Sequence, residues 1–257
     1  MKLLPWIDSF HSNPQATLRL FCFPYAGGSA AIYRLWHLKL PSNVEICPVE
    51  LPGRGRRLGE KPLERLDLLV ESLGEVLVPI CREKPFAFFG HSLGGLLAFE
   101  FSRLLRNRHH LDPHLLCISG YGPPHRLAAD RPRYHDWPED RFLEKIKKMS
   151  GTPTEVLRNK EVMGLFLPIL RADLALADFY EYVPQAPLDC PIFVMGGEGD
   201  EEVNPAFLNE WELETSAHFR MQLFQGNHFF LHSAAPSLLR ELSLALQKVQ
   251  EIQPSFR

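Results

Sequence analysis

The chain has 257 residues, a formal net charge of −3, 45% hydrophobic residues and 23% charged residues. That size suits a single domain over residues 1–257, large enough for a continuous core, and so small a net charge argues against a nucleic-acid partner or an anionic membrane surface. No run approaches the ~20 apolar residues needed to cross a bilayer, and Met1-Lys2-Leu3-Leu4-Pro5-Trp6-Ile7-Asp8 holds too short an apolar segment for a secretory signal, so a cytoplasmic protein is expected.

Short apolar strands alternate with helical patterns, which predicts an α/β fold: a mostly parallel central sheet flanked by helices. Leu18–Phe23 and Val44–Val49 are the first predicted strands. A helix follows, with Leu63, Leu66, Leu69, Val70, Leu73, Val76 and Leu77 recurring at three- and four-residue steps. Phe86–Phe89 is the third strand, succeeded by a helix through Leu104 and Leu105, and Leu115–Ser119 is the fourth. The alternation then stops. Residues 121–185 carry no strand; Pro123, Pro124, Pro132 and Pro138 crowd the start, and helical patterns follow at Glu139–Met149 and from Lys160 to Tyr182. The second pattern is apolar around much of its circumference. Such an insertion either packs on the sheet edge as core or roofs a cavity as a helical lid. The lid is expected, because insertions of this kind leave from the strand ends that carry active sites. Ile192–Met195, Phe219–Phe224 and a helix over Leu238–Val249 complete the chain. The five cysteines are scattered, with no C-x-x-C pair and no metal-like Cys/His spacing, so buried thiols in a reducing compartment and no metal site are expected.

The motif that carries chemistry is Gly90-His91-Ser92-Leu93-Gly94, a G-x-S-x-G run between the third strand and the next helix. A serine at such a junction sits on a tight turn that lifts its hydroxyl above the strand ends, the context that makes the motif a nucleophile elbow. A serine hydroxyl needs a base, and the base needs an acid to hold its tautomer. In this chain order the acid and then the histidine follow, each in a loop after a strand. Of the eleven histidines, His228 lies at the turn after Phe219–Phe224 and is the candidate base. His91 abuts the serine but points elsewhere, His109 and His110 end a helix, His125, His135 and His218 fall in loops or the lid, and His232 lies within the following helix. The loop Gly196-Gly197-Glu198-Gly199-Asp200-Glu201-Glu202-Val203 supplies the acid. Asp200 is favoured there, with Glu198, Glu201 and Glu202 as alternatives. An oxyanion hole requires backbone N–H groups: Leu93, directly after the serine, gives one. The paired-glycine loop Phe23-Pro24-Tyr25-Ala26-Gly27-Gly28-Ser29 offers the other through Ala26, with Tyr25 beside it.

Taken together, these runs resemble the stand-alone, type II editing thioesterases of non-ribosomal peptide and polyketide synthesis, relatives of the medium-chain fatty-acid-synthase thioesterase. The matching motifs are Leu20-Phe21-Cys22-Phe23-Pro24-Tyr25-Ala26-Gly27-Gly28-Ser29, Val49-Glu50-Leu51-Pro52-Gly53-Arg54, Gly90-His91-Ser92-Leu93-Gly94-Gly95, Leu170-Arg171-Ala172-Asp173, Gly196-Gly197 with Asp200, and Gly226-Asn227-His228-Phe229-Phe230-Leu231. The resemblance implies an α/β-hydrolase fold with a helical lid over residues 121–185. It also implies a Ser92, Asp200 and His228 triad, no cofactor, and hydrolysis of acyl or aminoacyl thioesters from the phosphopantetheine arm of carrier proteins. Glu201 departs from the pattern, standing where many relatives have proline. Tyr25, Arg54, Leu170 and Phe229 are candidate substrate contacts. The basic run from Gly53 to Arg57 either meets phosphate or an acidic carrier surface, or is solvated; the apolar stripe from Leu165 to Phe179 either lines an acyl channel or packs the lid. A monomer is expected. The competing functions are a chain-terminating medium-chain thioesterase, a general esterase, and a non-catalytic interaction module on the same fold.

Overall fold

The structure is a computed structural model and describes residues 6–7, 12–127, 132–149, 151 and 158–252. Six strands, β1 (Leu18–Phe23), β2 (Val44–Pro48), β3 (Phe86–His91), β4 (Leu116–Ser119), β5 (Ile192–Gly197) and β6 (Phe219–Phe224), pair in the order β2-β1-β3-β4-β5-β6. Every pairing is parallel. Val49, expected to continue β2, instead makes an isolated antiparallel bridge to Ile7.

Alternation along the strands builds two cores. Phe21, Phe23, Phe88, Ile118 and Val194 face α1 (Leu66–Cys81) and α2 (Leu93–Leu104). Leu20, Cys22, Phe89, Cys117 and Phe193 face the long C-terminal helix, α5 (Ala235–Ile252), and the segment bearing Tyr33 and Trp36. Phe88 sits edge-to-face between Phe21 and Phe23, at 5.8 and 5.5 Å between ring centres, the geometry aromatic quadrupoles favour. All five cysteines are buried and unpaired, and burial pushes the thiols of Cys47 and Cys190 up to about 12.

The sheet order positions the site. From β1 the chain steps outward to β2, then returns across β1 to lay down β3 on the other side. The loops after β1 and β3 therefore part company, and a crevice opens between them at the carboxyl ends of the strands.

Among the described residues, two long helices lie between β4 and β5: α3 (Glu139–Met149) and α4 (Lys160–Asp178). Asn159 caps α4, its side-chain oxygen accepting the Glu161 and Val162 amides. The helix stops at Asp178, short of the expected Tyr182. Beyond the stop, the hydroxyls of Tyr180 and Tyr182 reach the carboxylates of Glu100 and Glu214 at 2.6 and 2.7 Å, which anchor the outgoing chain. Phe142, Ile146, Leu170 and Leu174 form an apolar cluster of their own, separate from both sheet cores. No helix among the described residues is long and apolar enough to cross a membrane.

Candidate active site

β3 passes into α2 through Ser92, whose φ of 53° and ψ of −121° belong to a conformation that side chains rarely adopt. The strain persists because neighbouring backbones leave no other path. A Cβ on Gly90 would meet the Gly94 carbonyl oxygen at 1.9 Å, and one on Gly94 would meet the Phe23 carbonyl oxygen at 2.1 Å. The elbow is also tied down from the next strand, the Ser92 amide donating to the Ser119 carbonyl at 2.7 Å.

The loops after β5 and β6 extend the pairing of those strands. The Glu198 amide donates to the Phe224 carbonyl and the Gly199 amide to the Gly226 carbonyl, each at 2.9 Å. This contact brings Asp200 beside His228. The Nδ1–H of His228 donates to Asp200 Oδ2 at 2.8 Å, and the Ser92 hydroxyl lies 3.0 Å from His228 Nε2. Asp200 Oδ1 accepts the amides of Glu202 and Val203 at 2.9 and 3.0 Å, so the carboxylate has little freedom to turn. Asp200 and His228 are buried, and Ser92 is half-buried. The three alternative acids point elsewhere: Glu198 and Glu201 are exposed, and Glu202 pairs with Lys145 of α3 at 2.6 Å.

After β1 the chain turns through Tyr25–Gly28, closed by the Gly28 amide donating to the Tyr25 carbonyl at 2.8 Å. Gly27 takes φ +75° at the third position of the turn, where a side chain would be strained. Among the described residues neither the Ala26 amide nor the Leu93 amide carries a hydrogen bond. Both edge the crevice, Ala26 from the β1 loop and Leu93 at the N-terminus of α2. An anionic oxygen is favoured there by free N–H groups and the helix dipole together.

A cavity of about 400 Å³ opens beside Ser92 and His228, under the helices that follow β4. Its walls are largely apolar, with Ile32, Ile146, Met149, Phe166, Leu170 and Phe229 among them. Of the expected substrate contacts, Tyr25, Leu170 and Phe229 line this cavity. Tyr25 is fixed by a 3.0 Å hydrogen bond between its hydroxyl and His232 Nε2. Arg54 corrects an expectation. Its guanidinium is buried and engaged bidentately by Asp173, with both contacts at 2.6 Å, so it does not present charge to a phosphate or a carrier surface. Arg57 is likewise turned inward, onto Trp6 and Glu60. A wider groove of about 680 Å³ lies between α1, α2 and the end of α4, remote from Ser92.

Sequence reasoning assigned no role to Asp173, although its motif was noted, and did not foresee the lining contributed by Ile146 and Met149. The signal for Asp173 was an acidic side chain inside the apolar stretch Leu170–Leu176 of a helix, a setting that demands a partner. His91 does turn away from the serine, its Nδ1 sharing a 2.8 Å hydrogen bond with Ser119 Oγ. Its ring nevertheless lies 5.4 Å from that of His228, and its buried Nε2 has no hydrogen-bond partner among the described residues.

A parallel sheet with a strained serine after its third strand, an acid after the fifth and a histidine after the sixth defines the α/β-hydrolase class. Within that class the thioesterase domain family matches residues 18–246, and the chain belongs to it: it is a hydrolase of thioesters. It is 40% identical to a Brevibacillus parabrevis protein named linear gramicidin dehydrogenase LgrE, over 94% of this chain and 92% of that one. It is 37% identical to thioesterase PikA5 of Streptomyces venezuelae, over 93% and 84% of the two chains. Among solved structures, the type II thioesterase BorB from the borrelidin biosynthetic cluster superposes with a TM-score of 0.85 at 31% identity, covering 94% of this chain and 98% of that one.

Proposed function

We propose that this thioesterase releases acyl or aminoacyl groups from the phosphopantetheine arm of carrier proteins in a peptide or polyketide assembly line, clearing stalled or wrongly primed chains. The carrying observation is the hydrogen-bonded series Ser92–His228–Asp200 at the wall of an apolar cavity. The similarity to PikA5 and BorB supports the synthase setting. The absence of disulfides among five buried cysteines accords with a cytoplasmic location, and the chain is taken to act as a monomer.

In the first half-reaction His228 Nε2 accepts the Ser92 proton as Oγ adds to the thioester carbonyl. The carbonyl oxygen becomes an anion held by the Ala26 and Leu93 amides. Collapse breaks the C–S bond. The pantetheine thiolate leaves readily and takes the proton from the imidazolium, giving a free thiol and an acyl-Ser92 ester. In the second half, water gives a proton to His228 and adds to that ester; collapse returns the proton to Ser92 Oγ and frees the acid. Asp200 holds the Nδ1–H tautomer throughout and stabilises the imidazolium. All the groups required are side chains and amides of the chain, and the described part of residues 121–185 serves as the lid over the acyl pocket; 128–131, 150 and 152–157 lie outside the described residues.

The test is a three-substrate comparison: one acyl group offered on a carrier protein, on coenzyme A and as a nitrophenyl ester. Carrier-bound substrate should show the highest kcat/KM, and the Ser92→Ala protein should hydrolyse none of them. Equal rates on all three would leave a general esterase. A preference confined to medium saturated chains would leave a fatty-acid chain terminator, and unchanged hydrolysis by Ser92→Ala would remove the mechanism.

A further inference from the structure

The Arg54–Asp173 pair is a puzzle if read only as a contribution to stability. Asp173 is 1% exposed and Arg54 5%. Taking two such charges out of water costs about as much as their attraction returns, so a well-packed apolar pair would serve the fold equally well. What distinguishes the pair is where its hydrogen bonds go. Asp173 Oδ1 accepts from Arg54 Nη2 at 2.6 Å; Oδ2 accepts from Arg54 Nη1 at 2.6 Å and from the Gly27 amide at 2.7 Å. Arg54 Nη1 in turn donates to the Gly28 carbonyl at 3.1 Å. The two charged groups therefore grip one N–H and one C=O of the Tyr25–Gly28 turn, on the residues that directly follow Ala26. α4 closes on the same turn from above: a Cβ on Gly27 would lie 2.7 Å from the Phe166 ring and 2.8 Å from Leu170.

We propose that Asp173 and Arg54 are positioning residues that set the Ala26 amide for the oxyanion, so that the lid helix carrying Asp173 completes the hole. This rests on the oxyanion role given above to Ala26 and Leu93. Three segments far apart in sequence meet at the clasp: the loop after β1, the loop after β2, and α4. The arginine has a second task. A lone carboxylate bonded to Gly27 would repel negative charge growing one residue away, and the bidentate guanidinium cancels that repulsion. An apolar pair of the same size would preserve packing but leave the Gly27 amide without its acceptor.

The experiment compares wild type with Asp173→Asn and with the double variant Arg54→Met/Asp173→Leu. Each is assayed for kcat and KM on acyl-carrier substrate, for thermal midpoint, and for affinity toward two ligands bearing the same carbon chain. One ligand is a trifluoromethyl ketone, which forms a hemiketal oxyanion on Ser92; the other is the corresponding primary alcohol, which has no carbonyl and no anionic oxygen. Displacing one hole donor without deleting it should cost less than the ~10²–10³ of full removal. The double variant, with the Gly27 amide and the Gly28 carbonyl left unpaired, should lose only a few degrees of thermal midpoint and keep its KM within about threefold, while kcat and trifluoromethyl-ketone affinity fall together by roughly 10–100-fold. Asp173→Asn, whose amide oxygen still accepts from Gly27 but leaves the buried Arg54 charge without its carboxylate, should lower the thermal midpoint while its kcat, measured well below that midpoint, shows a smaller drop of the same kind, and it decides the matter if the double variant does not fold. Wild-type kcat in a folded variant, or equal losses for ketone and alcohol, overturns the clasp. If Ser92→Ala retains hydrolysis, the underlying site assignment fails instead, so the two failures are distinguishable.

Discussion

Around Ser92 three backbones meet with no side chain between them, whereas among the described residues the cap's apolar cluster meets the rest of the molecule through side chains. Gly90, Gly94 and the Phe23–Pro24 carbonyls touch directly, so the elbow tolerates no added atom. In α4, by contrast, Gly164 has nothing within 4 Å of where its Cβ would be, and the cap's own cluster is a handful of aliphatic and aromatic groups. The difference teaches where each kind of specification resides. Backbone contact fixes the reacting atoms, and exchangeable side-chain contact shapes the space for the acyl chain.

The largest expected effect lies at the elbow. Ser92→Ala should lower kcat on acyl-carrier substrate by ~10⁴–10⁶, as losses of a triad nucleophile do, without weakening carrier binding. Single-turnover assays and a binding titration check both halves of that statement. A loss of binding equal to the loss of rate would mean that the serine is structural. Next come the glycines, which compare the two regions directly. Gly94→Ala drives a methyl into the Phe23 carbonyl and should destabilise by about 1–3 kcal/mol or more, as overpacking does. The identical change at Gly164, in an open helix position, should stabilise by about 0.5–1 kcal/mol through lost chain entropy. Chemical denaturation of the pair measures both, and equal responses would erase the distinction drawn here.

Much of the elbow region was legible in the sequence for the reason just given. Short apolar strands buried on both faces, glycines where backbones meet, and a serine, an acid and a histidine after successive strands are all local patterns. Among the four carboxylates near position 200 the sequence offered only a preference. The choice is made by the Gly199–Gly226 hydrogen bond, a contact between two loops. Arg54 was misread for a related reason. Gly53-Arg54-Gly55-Arg56-Arg57 has the look of a solvated or phosphate-binding run, and the partner that buries its first arginine lies 119 positions away on a helix of the cap. Charge pattern reports composition, and pairing across such a separation is settled only by the tertiary fold. The lining of the cavity was half-visible: the apolar stripe on α4 stood out, but Ile146 and Met149 sit on a helix whose charged outer face conceals them.

The side-chain walls should yield a smaller and more selective effect. Met149→Ala enlarges the cavity from α3 without touching the elbow. Its lost contact, about 1–1.5 kcal/mol, should raise KM for long acyl chains roughly tenfold, leaving short-chain kcat within about twofold. A chain-length series on one carrier protein measures this. A uniform fall across all lengths would place Met149 among the positioning groups and blur the division between the regions.

At neutral pH the smallest effect belongs to His91, which lies in the rigid region and whose titration acts only in acid. Burial, with His228 and His232 close by, pushes its pKa well below the ordinary value of 6.5. In the unfolded chain the imidazole gains a proton near pH 6.5, but in the fold it resists charging. Between those two pKa values the unfolded state binds more protons, so stability rises with pH there. The contribution is complete above about pH 6.5 and declines as pH falls, by at most ~1.4 kcal/mol per unit, until the folded-state pKa is reached. His91→Gln cannot titrate and keeps an amide able to meet Ser119, so its stability should flatten relative to wild type as pH falls below about 6.5. Urea melts at several pH values measure the two slopes. Parallel slopes would assign the acid sensitivity to other groups, and would show that the unpartnered Nε2 in this otherwise tightly specified region is tolerated at no titratable cost.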